Sequence, residues 1–138
     1  MVLKKRFLIA DGDPDSLART ERSLAPFQLD IFTCGSALDA LAILSAQEID
    51  LFICDTFLVG RISGQTLVAI VRDFLPELPV IYTASDVASL PRSGVHPILL
   101  KPLNPAILAI TGGVAMDAAE EDKEARSEDG SRGKVYCH

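Results

Sequence analysis

The sequence predicts an α/β domain built on a doubly wound, five-stranded parallel sheet with helices on both faces. Three observations carry this reading. Short apolar runs rich in β-branched residues recur five times, and several of them are continuously apolar rather than alternating, as strands covered on both faces are. A helical pattern or a turn separates each run from the next, and right-handed crossovers then wind helices over both faces.

The candidate strands are Phe7 to Ala10, Leu29 to Thr33, Leu51 to Cys54, Val80 to Thr83 and Ile98 to Leu100. Pro14 opens the first helix, which places Leu17, Leu24 and Phe27 on one face and Arg19, Glu21 and Arg22 on the other. Ser36 is placed to cap a second helix carrying Leu38, Leu41, Ile43 and Leu44. A third runs from about Gly64 through Leu67, Ile70 or Val71, and Phe74, and stops before Pro76. The fourth crossover holds one helical turn at most, because Pro91 interrupts the stretch from Asp86 to Leu90 and steers the residue before it away from helix. Asn104 and Pro105 read as a cap and first helical residue ahead of Ala106, Ile107 and Leu108. Gly112 and Gly113 are expected to weaken or end that helix, at about 1 kcal/mol each relative to alanine.

Composition sets the outer limits. The 138 residues are 49% hydrophobic and 23% charged, which suits one soluble globular domain. The net charge of −6 argues against a nucleic-acid binder that works through a basic face. Lys4-Lys5-Arg6 precedes only four apolar residues, too few for a secretory signal, and no apolar run reaches membrane-spanning length. The expectation is a cytoplasmic protein without nucleic-acid or membrane partners. From Asp117 to Lys134 there are seven acids, four bases and only three alanines as apolar content. The sequence therefore predicts a folded domain over residues 1–116 and a disordered polar tail over 117–138. Cys34 and Cys54 follow apolar runs and read as buried reduced thiols, Cys137 falls in the tail, and no CxxC or Cys/His cluster points to zinc. His96, between Val95 and Pro97, reads as a surface loop histidine.

In a doubly wound sheet, functional groups gather beyond the carboxyl ends of the strands. There the sequence places Asp11-Gly12-Asp13 after the first strand, Asp55 after the third, Thr83 and Ala84 after the fourth, and Lys101-Pro102 after the fifth. Asp11, Asp13 and Asp55 would repel one another, and one lysine does not balance three carboxylates. A divalent cation with oxygen ligands is the natural complement, and magnesium fits because it accepts one or two carboxylates with waters and phosphate oxygens. Asp13 has a competing reading as the capping acid of the Pro14 helix.

With these residues in view, the chain resembles a response-regulator receiver domain over roughly residues 5–111. The resemblance rests on Phe7 to Pro14 (FLIADGDP), Asp50 to Asp55 (DLFICD), Pro79 to Ala84 (PVIYTA) and Leu100 to Leu103 (LKPL), four motifs in order, each at a strand end. It implies a flavodoxin-like fold of strand order 2-1-3-4-5, from which the shortened fourth helix of this chain departs. It also implies phosphoryl transfer from a sensor histidine kinase or histidine phosphotransferase to Asp55, with Mg²⁺. Asp11 would belong to the metal site, the backbone carbonyl of Phe57 would be a further ligand, Thr83 would bond a phosphoryl oxygen, and Lys101 would pair with the phosphoryl group. Lys101-Pro102 would be a cis peptide. Such a protein is not a conventional enzyme; at most it phosphorylates and dephosphorylates itself at Asp55. No output domain is visible, so the expectation is a stand-alone receiver acting through a further protein.

The chemistry asked of these residues agrees with those roles, since phosphoryl transfer needs in-line placement and charge stabilisation. Departures from the family pattern are as specific as the matches. The second of two adjacent acids after strand one is replaced by Gly12, so weaker Mg²⁺ binding is expected, and Asp13 is a displaced substitute. The loop from Thr56 to Gly64 lacks the usual proline and is about one residue longer. Ile98 occupies the place of the aromatic switch. These departures favour an alternative in which the domain is a pseudo-receiver that binds a protein partner without taking phosphate.

Other readings of the same residues fail on particulars. Asp11, Asp13 and Asp15 resemble the start of a calcium loop, but Ser16 stands where glycine is needed and Arg22 where the bidentate glutamate belongs. An aspartyl phosphatase of the haloacid type wants a second aspartate at Phe57, and no GxGxxG follows strand one for a dinucleotide.

Overall fold

The computed structural model describes residues 4–90 and 96–136, with side chains described through Arg126. Five strands, β1 (Lys5–Ala10), β2 (Leu29–Cys34), β3 (Leu51–Asp55), β4 (Val80–Ala84) and β5 (Ile98–Leu100), alternate with helices α1 (Pro14–Leu24), α2 (Ala37–Ala46), α3 (Gly64–Phe74) and α4 (Pro105–Tyr136). The strands form one parallel sheet in the order β2-β1-β3-β4-β5. This is the doubly wound, flavodoxin-like topology the sequence predicts. The crossover between β4 and β5 contains a single 3₁₀ turn, Val87–Ser89, so the fourth helix is reduced to one turn among the described residues; Pro91 lies outside them. Lys101-Pro102 is cis.

Every residue of β3 and β4 is buried, which is why these strands read as unbroken apolar runs. Their alternate side chains feed two cores. Phe52, Cys54, Val80 and Tyr82 join Leu8, Leu67, Val68 and Val71 on the face covered by α2 and α3. Leu51, Ile53 and Ile81 join Phe7, Ile9, Leu24 and Leu108 on the face covered by α1 and α4.

The inward helix faces differ from the sequence reading in detail. In α1 the buried positions are Ser16, Thr20 and Leu24, spaced by four, and Phe27 lies beyond the helix and is exposed. Thr20 spends its hydroxyl on the carbonyl of Ser16, so the polar pair is satisfied inside the helix. In α2 the buried residues are Ala37, Ala40 and Leu44, whereas Leu38 is 72% exposed. Small residues let the helix approach the sheet closely, and that turns a larger neighbour outward.

The C-terminal segment corrects an expectation. A helix ending near Gly112 and Gly113 and a disordered run from Asp117 are expected from composition, but α4 continues through Tyr136. Gly112 explains part of this. A Cβ there would come 3.0 Å from Leu51 Cδ2, so the helix crosses β3 at close quarters. Ala115 and Met116 pack on the same core one turn later, and farther along Arg126 forms an exposed ion pair of 3.4 Å with Glu77. Residues 137 and 138, including Cys137, lie outside the described residues.

Candidate functional site

Four strand ends meet at one rim. Asp11 follows β1, Asp55 ends β3, Thr83 lies near the end of β4, and Lys101 follows β5. Asp55 and Thr83 are register partners on adjacent strands, which puts their side chains side by side. Thr83 Oγ1 donates to Asp55 Oδ1 at 2.8 Å. Lys101 reaches across the rim so that Nζ lies 2.7 Å from Asp11 Oδ2 and 2.7 Å from Asp55 Oδ1. Asp11, Asp55 and Thr83 are each at most 3% exposed, while Lys101 keeps 14% of its side chain in contact with solvent.

Backbone amides complete the set. The amide of Phe57 donates to Asp55 Oδ2 at 2.9 Å, and that of Asp13 donates to Asp11 Oδ1 at 3.0 Å. All four carboxylate oxygens therefore accept at least one hydrogen bond, as buried carboxylates must. Burial alone would lower the Lys101 pKa, but its hydrogen bonds and charge attraction to Asp11 and Asp55 outweigh that and raise it above 10.5. The ammonium is thus held charged between the two acids.

The loop after β3 is fixed by several backbone bonds. Thr56 donates to the carbonyl of Thr83 at 3.0 Å, Val59 donates to Gly35 at 2.8 Å, and Gly64 donates to Thr56 at 3.1 Å. Ser36 and Val59 form a parallel bridge that ties this loop to the entrance of α2. At Gly60 the chain takes a φ of 103°, a conformation glycine adopts without strain. Gly64 begins α3 directly against the acceptor strand. A Cβ at that position would stand 2.0 Å from the carbonyl oxygen of Asp55, so no larger residue fits without moving the strand end.

The remaining candidates are placed differently. Asp13 stands at the N-terminus of α1, where its carboxylate accepts from the amide of Asp15 at 3.0 Å. It serves as the capping acid of α1, with an Asx turn ahead of Pro14, which is the competing role the sequence offers for it. The carbonyl of Phe57 accepts from the amide of Gly12 at 2.9 Å, which leaves one lone pair for another partner. The Phe57 ring lies over Gly12, and a Cβ on Gly12 would meet ring atoms Cδ2 and Cε2 at 2.7 Å. This contact is absent from the sequence reading, because nothing local pairs a glycine after β1 with an aromatic after β3.

The donor set bears on magnesium. Asp11 and Asp55 face a single cationic group, so both are within reach of one small ion, and a hexacoordinate cation would draw its other ligands from the Phe57 carbonyl and water. A third carboxylate is not at hand, and among the described residues no three His, Cys, Asp or Glu side chains gather as a metal cluster. The residues fit an ion held by two carboxylates.

His96 lies in the loop before β5, as expected, but is half-buried. Its ring packs edge-on against Tyr82 at 5.9 Å between centroids, and its Nε2 is buried without a hydrogen-bond partner among the described residues. Burial, with a smaller contribution from Arg72, lowers its pKa below 6.5. Cys34 and Cys54 are buried free thiols, and burial followed by Asp39 pushes the Cys34 pKa up to about 11.

No helix among the described residues is long and apolar enough to cross a membrane. Comparison with sequence-family models and with curated proteins gives no match. Solved structures give many. The signal receiver domain of an HD domain-containing protein from Pseudomonas fluorescens Pf-5 superposes with a TM-score of 0.77 at 23% identity, over 86% of this chain and 99% of that one. A CheY-like response regulator receiver domain protein from Methanospirillum hungatei JF-1 gives a TM-score of 0.76 at 22% identity, over 87% and 99%. A response regulator receiver protein from Sinorhizobium medicae WSM419 gives 0.74 at 21%, over 84% and 97%. With its strand order and these neighbours, the chain has the fold of the response-regulator receiver domains.

Proposed function

We propose that the domain accepts a phosphoryl group on Asp55 from a phosphohistidine of a sensor histidine kinase or histidine phosphotransferase, as part of a cytoplasmic phosphorelay. One observation carries the reading: a lysine, a threonine and two aspartates from four separate strand ends share one set of hydrogen bonds around Asp55. In the transfer, a carboxylate oxygen of Asp55 attacks phosphorus, the P–N bond of the donor breaks, and the imidazole leaves with the electron pair. Lys101 offsets charge on the phosphoryl oxygens, and Thr83 turns its hydroxyl from Asp55 to one of them. Asp11, Asp55 and the carbonyl of Phe57 would hold Mg²⁺, which when bound would supply further neutralisation of phosphoryl charge. The same residues would govern return of the acyl phosphate to water, so any activity is self-directed. A downstream protein would read the phosphorylated state.

The contact of Phe57 with Gly12 favours a second reading, a pseudo-receiver that binds its partner without phosphate, because the ring occupies space that a further metal-site side chain would need. Incubation with acetyl phosphate and Mg²⁺, followed by intact mass, separates the two. Addition of a single phosphoryl group that Asp55→Asn abolishes supports the first. An unchanged mass in wild type overturns it and leaves the interaction module.

A further inference from the structure

Three large apolar side chains face solvent beside the acceptor. After Asp55 the chain alternates: Leu58 is buried in the core under α2 and α3, while Phe57 and Val59, on either side of it, are 59% and 56% exposed. Leu58 thus fastens the loop and turns its neighbours outward. Val59 is bridged to Ser36, and two residues beyond Ser36 stands Leu38, exposed because Ala37 and Ala40 take the inward face of α2. Backbone bonds hold the patch: Val59 donates to Gly35, Phe57 accepts from Gly12, and the amide of Phe57 donates to Asp55 Oδ2. An apolar surface already fixed in place loses little freedom when it is covered.

Its position identifies the occupant. A phosphoryl group carried on a protein reaches Asp55 only if that protein covers the rim, and a specific contact takes about 800 Å² from each partner, a disc of roughly 16 Å radius. Phe57 and Val59 are two and four residues from Asp55, so at no more than about 3.6 Å per residue both lie under a disc centred there. The flank beside α1 is mostly polar, lined by Asp13, Ser16, Arg19, Arg22 and Ser85 next to Lys101. Apolar and aromatic anchors are what hold the centre of a protein contact, and within this footprint the loop after β3 supplies them.

We infer that Leu38, Phe57 and Val59 form the docking surface for the phosphohistidine-bearing domain of the donor, which seats by apolar contact on the α2 and α3 side of the rim. The inference rests on the phosphoacceptor reading and says where its partner binds. Acetyl phosphate needs no docking surface, so comparing it with protein donors isolates the patch. Wild type, Leu38→Gln, Val59→Gln and their double variant are compared with Ile110→Gln, a control at an exposed apolar residue that sits with Val80 and Pro97 at the opposite end of the strands. Phe57 is left unchanged because its carbonyl belongs to the acceptor site. Each protein is given acetyl phosphate with Mg²⁺ and, separately, the purified sensor kinases and histidine phosphotransferase domains of the source organism, labelled with ³²P on histidine. All five are expected to react with acetyl phosphate at similar rates. Transfer from the protein donor that serves wild type fastest is expected to fall about fivefold in each single variant and at least about tenfold in the double, the range of interface anchors, with Ile110→Gln unchanged. Equal protein-donor rates in wild type and the double variant would overturn the inference, as would a wild type that reacts with acetyl phosphate and with none of the protein donors. A fall of the same size with acetyl phosphate would mean that the changes disturb Asp55, and overturns it too. A wild-type dimer in sedimentation that the double variant dissolves, with transfer unchanged, gives the patch to a second copy instead. Wild type inert to acetyl phosphate and to every donor removes the acceptor reading itself, and the inference falls with it.

Discussion

Lys101 Nζ lies 2.7 Å from Asp55 Oδ1 and equally close to Asp11 Oδ2, so a single ammonium offsets two carboxylates that have almost no contact with water. Removing it leaves like charges facing each other in a buried setting. Lys101→Met is expected to lower stability by about 3 kcal/mol near neutral pH, the low end for breaking a buried pair because the lysine keeps some solvent. Urea unfolding checks this. Adding Asp11→Asn should recover part of the loss, since the two residues belong to one network and their effects do not add. If both single variants and the double behave additively, the network is not coupled.

A methyl group at position 64 meets the carbonyl oxygen of Asp55 at 2.0 Å, and backbone on both sides leaves little to yield. Gly64→Ala should therefore cost about 3 kcal/mol or more. It should also displace Asp55 from Thr83 and Lys101, so the Asp55 side-chain environment, read by carboxyl carbon shifts, changes along with stability. Near-neutral behaviour in thermal unfolding would contradict this packing.

His96 gives the fold an acid-side sensitivity. Its pKa in the folded protein is lowered, chiefly by burial, so the folded state prefers the neutral ring. The stabilisation is complete above the unfolded value near 6.5 and is lost as pH falls from there through the folded pKa, because the unfolded chain takes up the proton first. His96→Phe keeps an aromatic against Tyr82 and removes the proton. Its stability relative to wild type should rise between about pH 7.5 and about pH 5, as read by denaturant midpoints. A constant difference across that range would mean the ring is not held neutral.

The two adjacent glycines of α4 should answer differently to the same change. Nothing lies near a Cβ at Gly113, so Gly113→Ala should stabilise by about 0.5–1 kcal/mol through helix propensity alone. At Gly112 the added methyl presses on Leu51 at 3.0 Å, and the gain should shrink or reverse. Thermal unfolding followed by helical circular dichroism distinguishes them, and equal gains at both sites would show that α4 does not cross β3 this closely.

What the sequence discloses follows from how local each determinant is. Strands buried on both faces announce themselves, as Leu51-Phe52-Ile53-Cys54 does, whereas the strand order is what the resemblance to receiver domains implies and the sheet bears out. Asp11, Asp55, Thr83 and Lys101 are legible as a group because each ends or follows a strand. The cap formed by Asp13 is legible too, but only as one of two roles, since a carboxylate before Pro14 suits a helix and a metal equally in one dimension. The contact of Phe57 with Gly12 is set by how two loops lie on each other, and no spacing encodes it. Composition misleads over 117–136, where acids and alanines that cannot build a core still continue a helix already anchored by Leu108 and Met116. It misleads in α2 as well, where Ala37 and Ala40 face inward and the larger Leu38 does not.

The pairing of Asp55 with Thr83 as rungs of neighbouring strands has a further meaning for how the chain can be altered. Their spacing is ruled by the hydrogen-bond ladder of the sheet, not by the length of chain that joins them. Lengthening or shortening the connection between β3 and β4 leaves that ruler untouched, whereas sliding β4 by one residue would swap the hydroxyl for Tyr82 or Ala84 and dismantle the acceptor corner at a stroke.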